Sequence, residues 1–104
     1  MSTIEQIRTA INELESSKLI LMHAVSTYPA KPEMLNLNWI SELKSTFPKI
    51  PVGYSGHEVG VAPSLIAVAK YGAVCVERHV TLDRAMWGTD QSASLEPDGM
   101  RRVV

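Results

Sequence analysis

Leu19-Ile20-Leu21-Met22-His23-Ala24-Val25 is apolar at every position except His23. A strand with one wet face alternates apolar and polar residues, whereas a near-continuous apolar run suits a parallel strand covered on both faces. Working outward, Pro51-Val52-Gly53-Tyr54-Ser55 reads as a second short strand and Ala73 to Val80 as a third. Helical spacing fills the intervals. Ile4, Ile7, Ile11 and Leu14 predict an amphipathic helix over 3–16, with Ser2 and Glu5 at capping-box spacing. Leu37, Ile40, Leu43 and Phe47 mark a second helix that Pro48 stops. A third opens near Pro63, buries Leu65, Ile66, Val68 and Ala69, and closes at Gly72; Pro97 opens a fourth.

The order α-β-α-β-α-β-α implies an α/β fold with three parallel strands and helical crossovers. Two architectures remain open on this pattern: a small doubly wound sheet, and part of a (βα)8 barrel, which needs about 250 residues in full. The chain has 104 residues, which favours a cut-out from something larger over a closed barrel.

Composition narrows the function. Apolar residues make up 45% and charged residues 20%, an ordinary globular balance that excludes a disordered chain. Ten basic against eleven acidic side chains give a net charge of −1, which offers no footprint for nucleic acid or an acidic membrane. The apolar run at 19–25 is far short of the roughly 20 residues a membrane span needs. No secretory leader is evident, and the single Cys75 permits no intramolecular disulfide, so a cytoplasmic setting is expected. Cys75 lies between Val74 and Val76 and reads as a buried strand residue, not a nucleophile. Trp39 and Trp87 read as packing residues.

Polar residues inside covered strands carry the chemistry. By period-two alternation Cys75, Glu77, His79 and Thr81 share one face, and Val74, Val76, Arg78 and Val80 the other. A carboxylate and an imidazole on a covered face are costly unless paired, coordinated or wet. Glu77 and His79 therefore form either a structural hydrogen-bonded pair or part of a site. The second strand ends in Tyr54-Ser55-Gly56-His57-Glu58, and the C-terminal ends of parallel strands are where α/β folds place their chemistry. His57 and His79, on adjacent strand ends, can share a divalent ion; His23 reads as a core or lining residue.

Four blocks then carry a family resemblance: His23-Ala24-Val25-Ser26-Thr27-Tyr28-Pro29, Pro51 to Glu58, Glu77-Arg78-His79-Val80-Thr81-Leu82-Asp83-Arg84, and Gly88-Thr89-Asp90-Gln91-Ser92-Ala93-Ser94-Leu95-Glu96-Pro97. In order and spacing the chain resembles the barrel of the N-acetylneuraminate (sialic acid) synthases. Met1-Ser2-Thr3 resembles the end of that family's preceding strand-loop. The resemblance implies that residues 1–104 cover about strands six to eight of a TIM barrel, without the first five strands, their phosphate-binding lysines, or the family's antifreeze-like domain. It implies condensation of phosphoenolpyruvate with an N-acetylmannosamine-like sugar and release of phosphate, in a parent enzyme that is a homodimer. It implies Mn2+ or Mg2+ held by His57 and His79, and Lewis-acid activation of the sugar aldehyde. It also implies phosphoenolpyruvate contact by Ser55, sugar contacts by Tyr28 and Asp90, and a catalytic Glu77 that steers water or stabilises the developing C2 cation. Gly56 stands where many relatives have Asp, Gln91 where His is frequent, and Ser26 where some have Asn; these departures bear on the sugar. A chain of this length is expected to be inactive alone, and the rival reading is a non-catalytic product or interaction module derived from the barrel.

Overall fold

The computed structural model describes residues 2–14 and 18–104. Helix α1 (Ile4–Leu14) precedes β1 (Leu21–Ala24). There follow α2 (Trp39–Thr46), β2 (Val52–Gly56), α3 (Ala62–Ala69), β3 (Val76–Arg78) and α4 (Pro97–Val103). The strands lie side by side in chain order, β1-β2-β3, and both pairs are parallel. The alternation of apolar runs and helical spacings thus folds as three consecutive parallel βα units of a barrel wall.

Register places the rows. Met22 pairs with Gly53 and Ala24 with Ser55, while Tyr54 pairs with Val76 and Ser55 with Glu77. One face of the sheet therefore carries Met22, Gly53 and Cys75, then Ala24, Ser55 and Glu77. The other turns Val52 and Tyr54 into a core with Ile40, Leu43, Phe47, Ala67 and Ala73. Ile4, Ile7 and Ile11 of α1 pack against that same core, so the helices cover one face. The opposite face, the inside of a barrel, is left open.

Several boundaries differ from the sequence reading, each for a local reason. The capping box sits one residue later than Ser2 and Glu5: Gln6 N donates to Thr3 Oγ1 at 3.2 Å, and Thr3 N donates to Gln6 Oε1 at 2.8 Å. With Ile4 as the first helical residue, Thr3 is the N-cap and Gln6 the third position. The expected end of this helix at residue 16, like Met1, lies outside the described residues.

The third strand is shorter than 73–80. Val74 N and Cys75 O still bond β2, at 2.9 and 3.0 Å. Past Arg78 the backbone turns to Leu95, whose N donates to His79 O at 2.8 Å. Helix α3 presents Ser64 and Ala67 to the sheet, and Leu65, Ile66, Val68 and Ala69 are exposed. Residues three apart share a helix face, and only small side chains fit between α3 and the buried ion pair described below. Trp87, expected to pack, is fully exposed in the irregular loop after β3. Gly72 does end the α3 unit, at φ +67°, where Lys44 Nζ donates to the Gly72 carbonyl at 3.1 Å.

Candidate active site

The end of β2 and the residue after it set the site. Alternation sends Tyr54, Gly56 and Glu58 toward the helices and Ser55 and His57 toward the open face. His57 is buried, and its Nδ1 lies 2.8 Å from Val25 O. A carbonyl only accepts, so Nδ1 carries the proton and Nε2 keeps its lone pair. That lone pair faces Tyr28 Oη at 3.3 Å and Ser55 Oγ at 3.4 Å. An imidazole held by a backbone carbonyl through one nitrogen presents the other as a ligand or acceptor.

Ser55 Oγ donates to Glu77 Oε1 at 2.7 Å across the β2–β3 pair. The partner of Glu77 is thus Ser55, and the structural Glu77–His79 pair weighed from the sequence does not form. The His79 ring stands edge-on to His57, with centroids 5.4 Å apart and planes at 78°. Tyr28 lies against both rings, 4.3 Å from the centroid of His57 and 5.6 Å from that of His79. Asp90 Oδ2 is 3.7 Å from His79 Nδ1, and its carboxylate is braced by Thr89 Oγ1 at 3.0 Å. All six residues singled out from the sequence (Tyr28, Ser55, His57, Glu77, His79 and Asp90) therefore meet at the C-terminal end of the sheet. His23 does not join them. It points to the helix face, buried, with Nε2 2.7 Å from Leu35 O, and is a core histidine.

Two imidazoles bound to one ion at about 2.1 Å place their ring centroids roughly 5 Å apart. The observed centroid separation fits that arrangement, and the His57 Nε2 lone pair lies on the side of Tyr28 Oη and Ser55 Oγ. Among the described residues no three His, Cys, Asp or Glu side chains gather as a complete ion site, so the pair does not by itself make one.

Sequence reasoning missed what lies directly behind the site. Arg78 and Glu58 form an ion pair at 2.8 Å, each side chain 1% exposed, and Tyr54 Oη donates to Glu58 Oε2 at 2.7 Å. Burial, then the hydrogen bond to Glu58, holds the Tyr54 phenol well above its ordinary range. The signal was present: Arg78 is the one charge on an otherwise valine-lined strand face, and a buried charge calls for a counter-charge.

The NeuB family model matches residues 1–104. This chain belongs to the NeuB family. Human N-acetylneuraminate-9-phosphate synthase is 45% identical over 104 residues, covering 100% of this chain and 28% of the human protein. A Campylobacter jejuni N,N'-diacetyllegionaminic acid synthase is 40% identical over 108 residues, covering 99% of this chain and 32% of its own. Among solved structures, the N-acetylneuraminic acid (sialic acid) synthetase of Leptospira borgpetersenii, in complex with citrate, superposes with a TM-score of 0.90 at 37% identity. It covers 99% of this chain and 36% of that one. This NeuB-family chain thus spans about a third of the length of these relatives.

Proposed function

We propose that this NeuB-family chain is the metal-facing and phosphoenolpyruvate-facing part of a sialic-acid-type synthase barrel, strands six to eight. The observation that carries the reading is the meeting of His57, His79, Tyr28, Ser55, Glu77 and Asp90 at one end of a parallel sheet. The reaction joins C3 of phosphoenolpyruvate to the aldehyde carbon of an N-acylated amino sugar. Water then adds at the electron-poor C2, and the C2–O bond to phosphate breaks as phosphate leaves and the ketone forms. Mn2+ or Mg2+ held by His57 and His79 supplies Lewis acidity for the sugar carbonyl when bound.

The chain's own residues prepare the rest. Val25 O fixes the tautomer of His57, so that Nε2 presents a lone pair. Ser55 orients the Glu77 carboxylate on the open face, where it directs the attacking water and offsets positive charge at C2. Tyr28, against both imidazoles and 41% exposed, offers the sugar an aromatic surface and a hydroxyl. Asp90, beside His79 and half exposed, is an acceptor for sugar hydroxyls. The phosphate-binding lysines and the strands that close the barrel come from outside this chain.

The test is a chimera in which these 104 residues replace the matching segment of human N-acetylneuraminate-9-phosphate synthase. With Mn2+, phosphoenolpyruvate and the phosphorylated or free amino sugar, phosphate release is expected. His57→Ala in the same background should lower it by roughly a hundredfold or more, the scale of a lost Lewis acid. A folded chimera without turnover, or one indifferent to His57→Ala, would sink the reading.

A further inference from the structure

Behind the histidine pair lies a polar cluster that takes no part in the proposed chemistry. Arg78 Nη1 lies 2.8 Å from Glu58 Oε1, 2.8 Å from Gly60 O and 2.9 Å from Ser64 Oγ. Arg78 Nη2 donates to Glu58 O at 2.7 Å and reaches Ala93 O at 3.4 Å. One guanidinium thereby ties together β3, the loop after β2, the start of α3 and the loop that carries Asp90. Tyr54 joins the cluster from β2 through its bond to Glu58, while the buried Arg78 Nε has no hydrogen-bond partner among the described residues.

The placement matters because of what is next in the chain. Glu58 directly follows His57, and Arg78 directly precedes His79. Alternation puts the two imidazoles on the open face and the two charges on the opposite face. Any change in the distance between Glu58 and Arg78 is passed through single peptide units to the spacing of the histidines. Removing one partner of a buried ion pair leaves the other charge uncompensated, so drawing Glu58 and Arg78 apart is costly.

We propose that Glu58 and Arg78 are positioning residues, a buried clasp on the helix side of the sheet that sets the separation and orientation of His57 and His79. This rests on the reading of those histidines as a ligand pair. A partner on the far side that orients a ligand is commonly worth 10- to 100-fold, in order of magnitude, in metal affinity.

The parent in this experiment is the chimera with the human synthase, in which further strands cover the sheet edges, and two measurements are made. The first is Mn2+ titration followed by the electron paramagnetic resonance of the free ion. The second is the 15N signature of the histidine rings without metal, which reports which nitrogen of His57 carries the proton. In the parent chimera, Mn2+ binding that His57→Ala abolishes is expected, with His57 protonated at Nδ1. Glu58→Gln, which keeps the shape and removes the charge, should weaken Mn2+ binding by the folded protein about 10- to 100-fold and mix the His57 tautomers. Lower thermal stability with unchanged folded-state affinity and an unchanged tautomer overturns the clasp while leaving the ligand pair standing. Absence of Mn2+ binding in the parent chimera overturns the ligand pair, and the clasp with it. If Glu58→Gln does not fold, Ser64→Ala withdraws one acceptor from Arg78 and leaves the ion pair. It is then expected to lower affinity about threefold, a fraction of the full effect, and unchanged affinity overturns the proposal.

Discussion

Gly56 is required by its neighbours. A Cβ there would lie 2.9 Å from Arg78 Cδ, 2.9 Å from Glu58 Oε2 and 2.9 Å from Tyr54 Cε1. None of the three can retreat without opening the buried ion pair, so Gly56→Ala is expected to destabilise the chain by about 1–3 kcal/mol, the usual cost of overpacking. Urea unfolding measures it, and a variant as stable as the parent would show that the cluster yields. Tyr54 gives a pH test in the same place. Its folded phenol titrates well above the ordinary value of 10.0, chiefly through burial and then through Glu58. Above that pH the unfolded chain loses a proton that the folded chain keeps, so stability falls as pH rises from about 10 upward. Tyr54→Phe removes this contribution, and its stability should decline less steeply than the parent's between about pH 10 and 11. Equal slopes would show that the phenol titrates normally.

At the level of elements, the helices differ in what holds them: α1 has a reciprocal side-chain cap, whereas α2, α3 and α4 have no side-chain hydrogen bond at the N-cap. Helix α1 buries no residue fully, so its reciprocal Thr3–Gln6 cap carries an unusual share of its stability. Thr3→Ala is expected to cost about 1 kcal/mol, read as increased amide exchange over Ile4–Leu14; protection equal to the parent's would show that packing of Ile4, Ile7 and Ile11 suffices. Helix α3 illustrates the opposite case. It faces the sheet through Ser64 and Ala67 because the volume beneath it is taken by Arg78 and Glu58. The apolar residues Leu65, Ile66 and Val68 are left half exposed.

The whole molecule is more open than its length suggests. Its radius of gyration is 14.4 Å, against about 13 Å for a compact domain of this size. A groove of about 270 Å³, lined in part by Ile4, Ile7, Leu21, Met22 and Trp39, runs beside β1, whose outer edge pairs with no strand among the described residues. An unpaired parallel edge beside an apolar groove is an aggregation-prone surface. The isolated chain is therefore expected to self-associate at micromolar concentration and to unfold below about 45 °C, the lower bound for ordinary domains. Light scattering over a dilution series and a thermal melt decide this. A monodisperse monomer melting above about 60 °C, well inside the ordinary range, would show that three βα units stand alone.

From the sequence alone the parallel strands were legible, because the near-continuous apolar run at 19–25 suits a strand covered on both faces and the short segments 51–55 and 73–80 alternate with helical spacing. The four blocks that resemble the family also singled out six residues, and the fold brings those six to one end of the sheet. The capping box was misplaced by one residue because Ser2-Thr3-Ile4-Glu5-Gln6 offers two overlapping boxes, and only the first helical turn chooses between them. Tertiary structure alone decided the partners. Glu77 bonds Ser55 instead of His79 because register sets Ser55 opposite it, and register depends on how two strands 22 residues apart align. The Glu58–Arg78 clasp likewise joins residues 20 apart. Alternation along a strand tells which face a side chain takes, but the distance between two charges on that face exists only once the sheet and helix have closed over them.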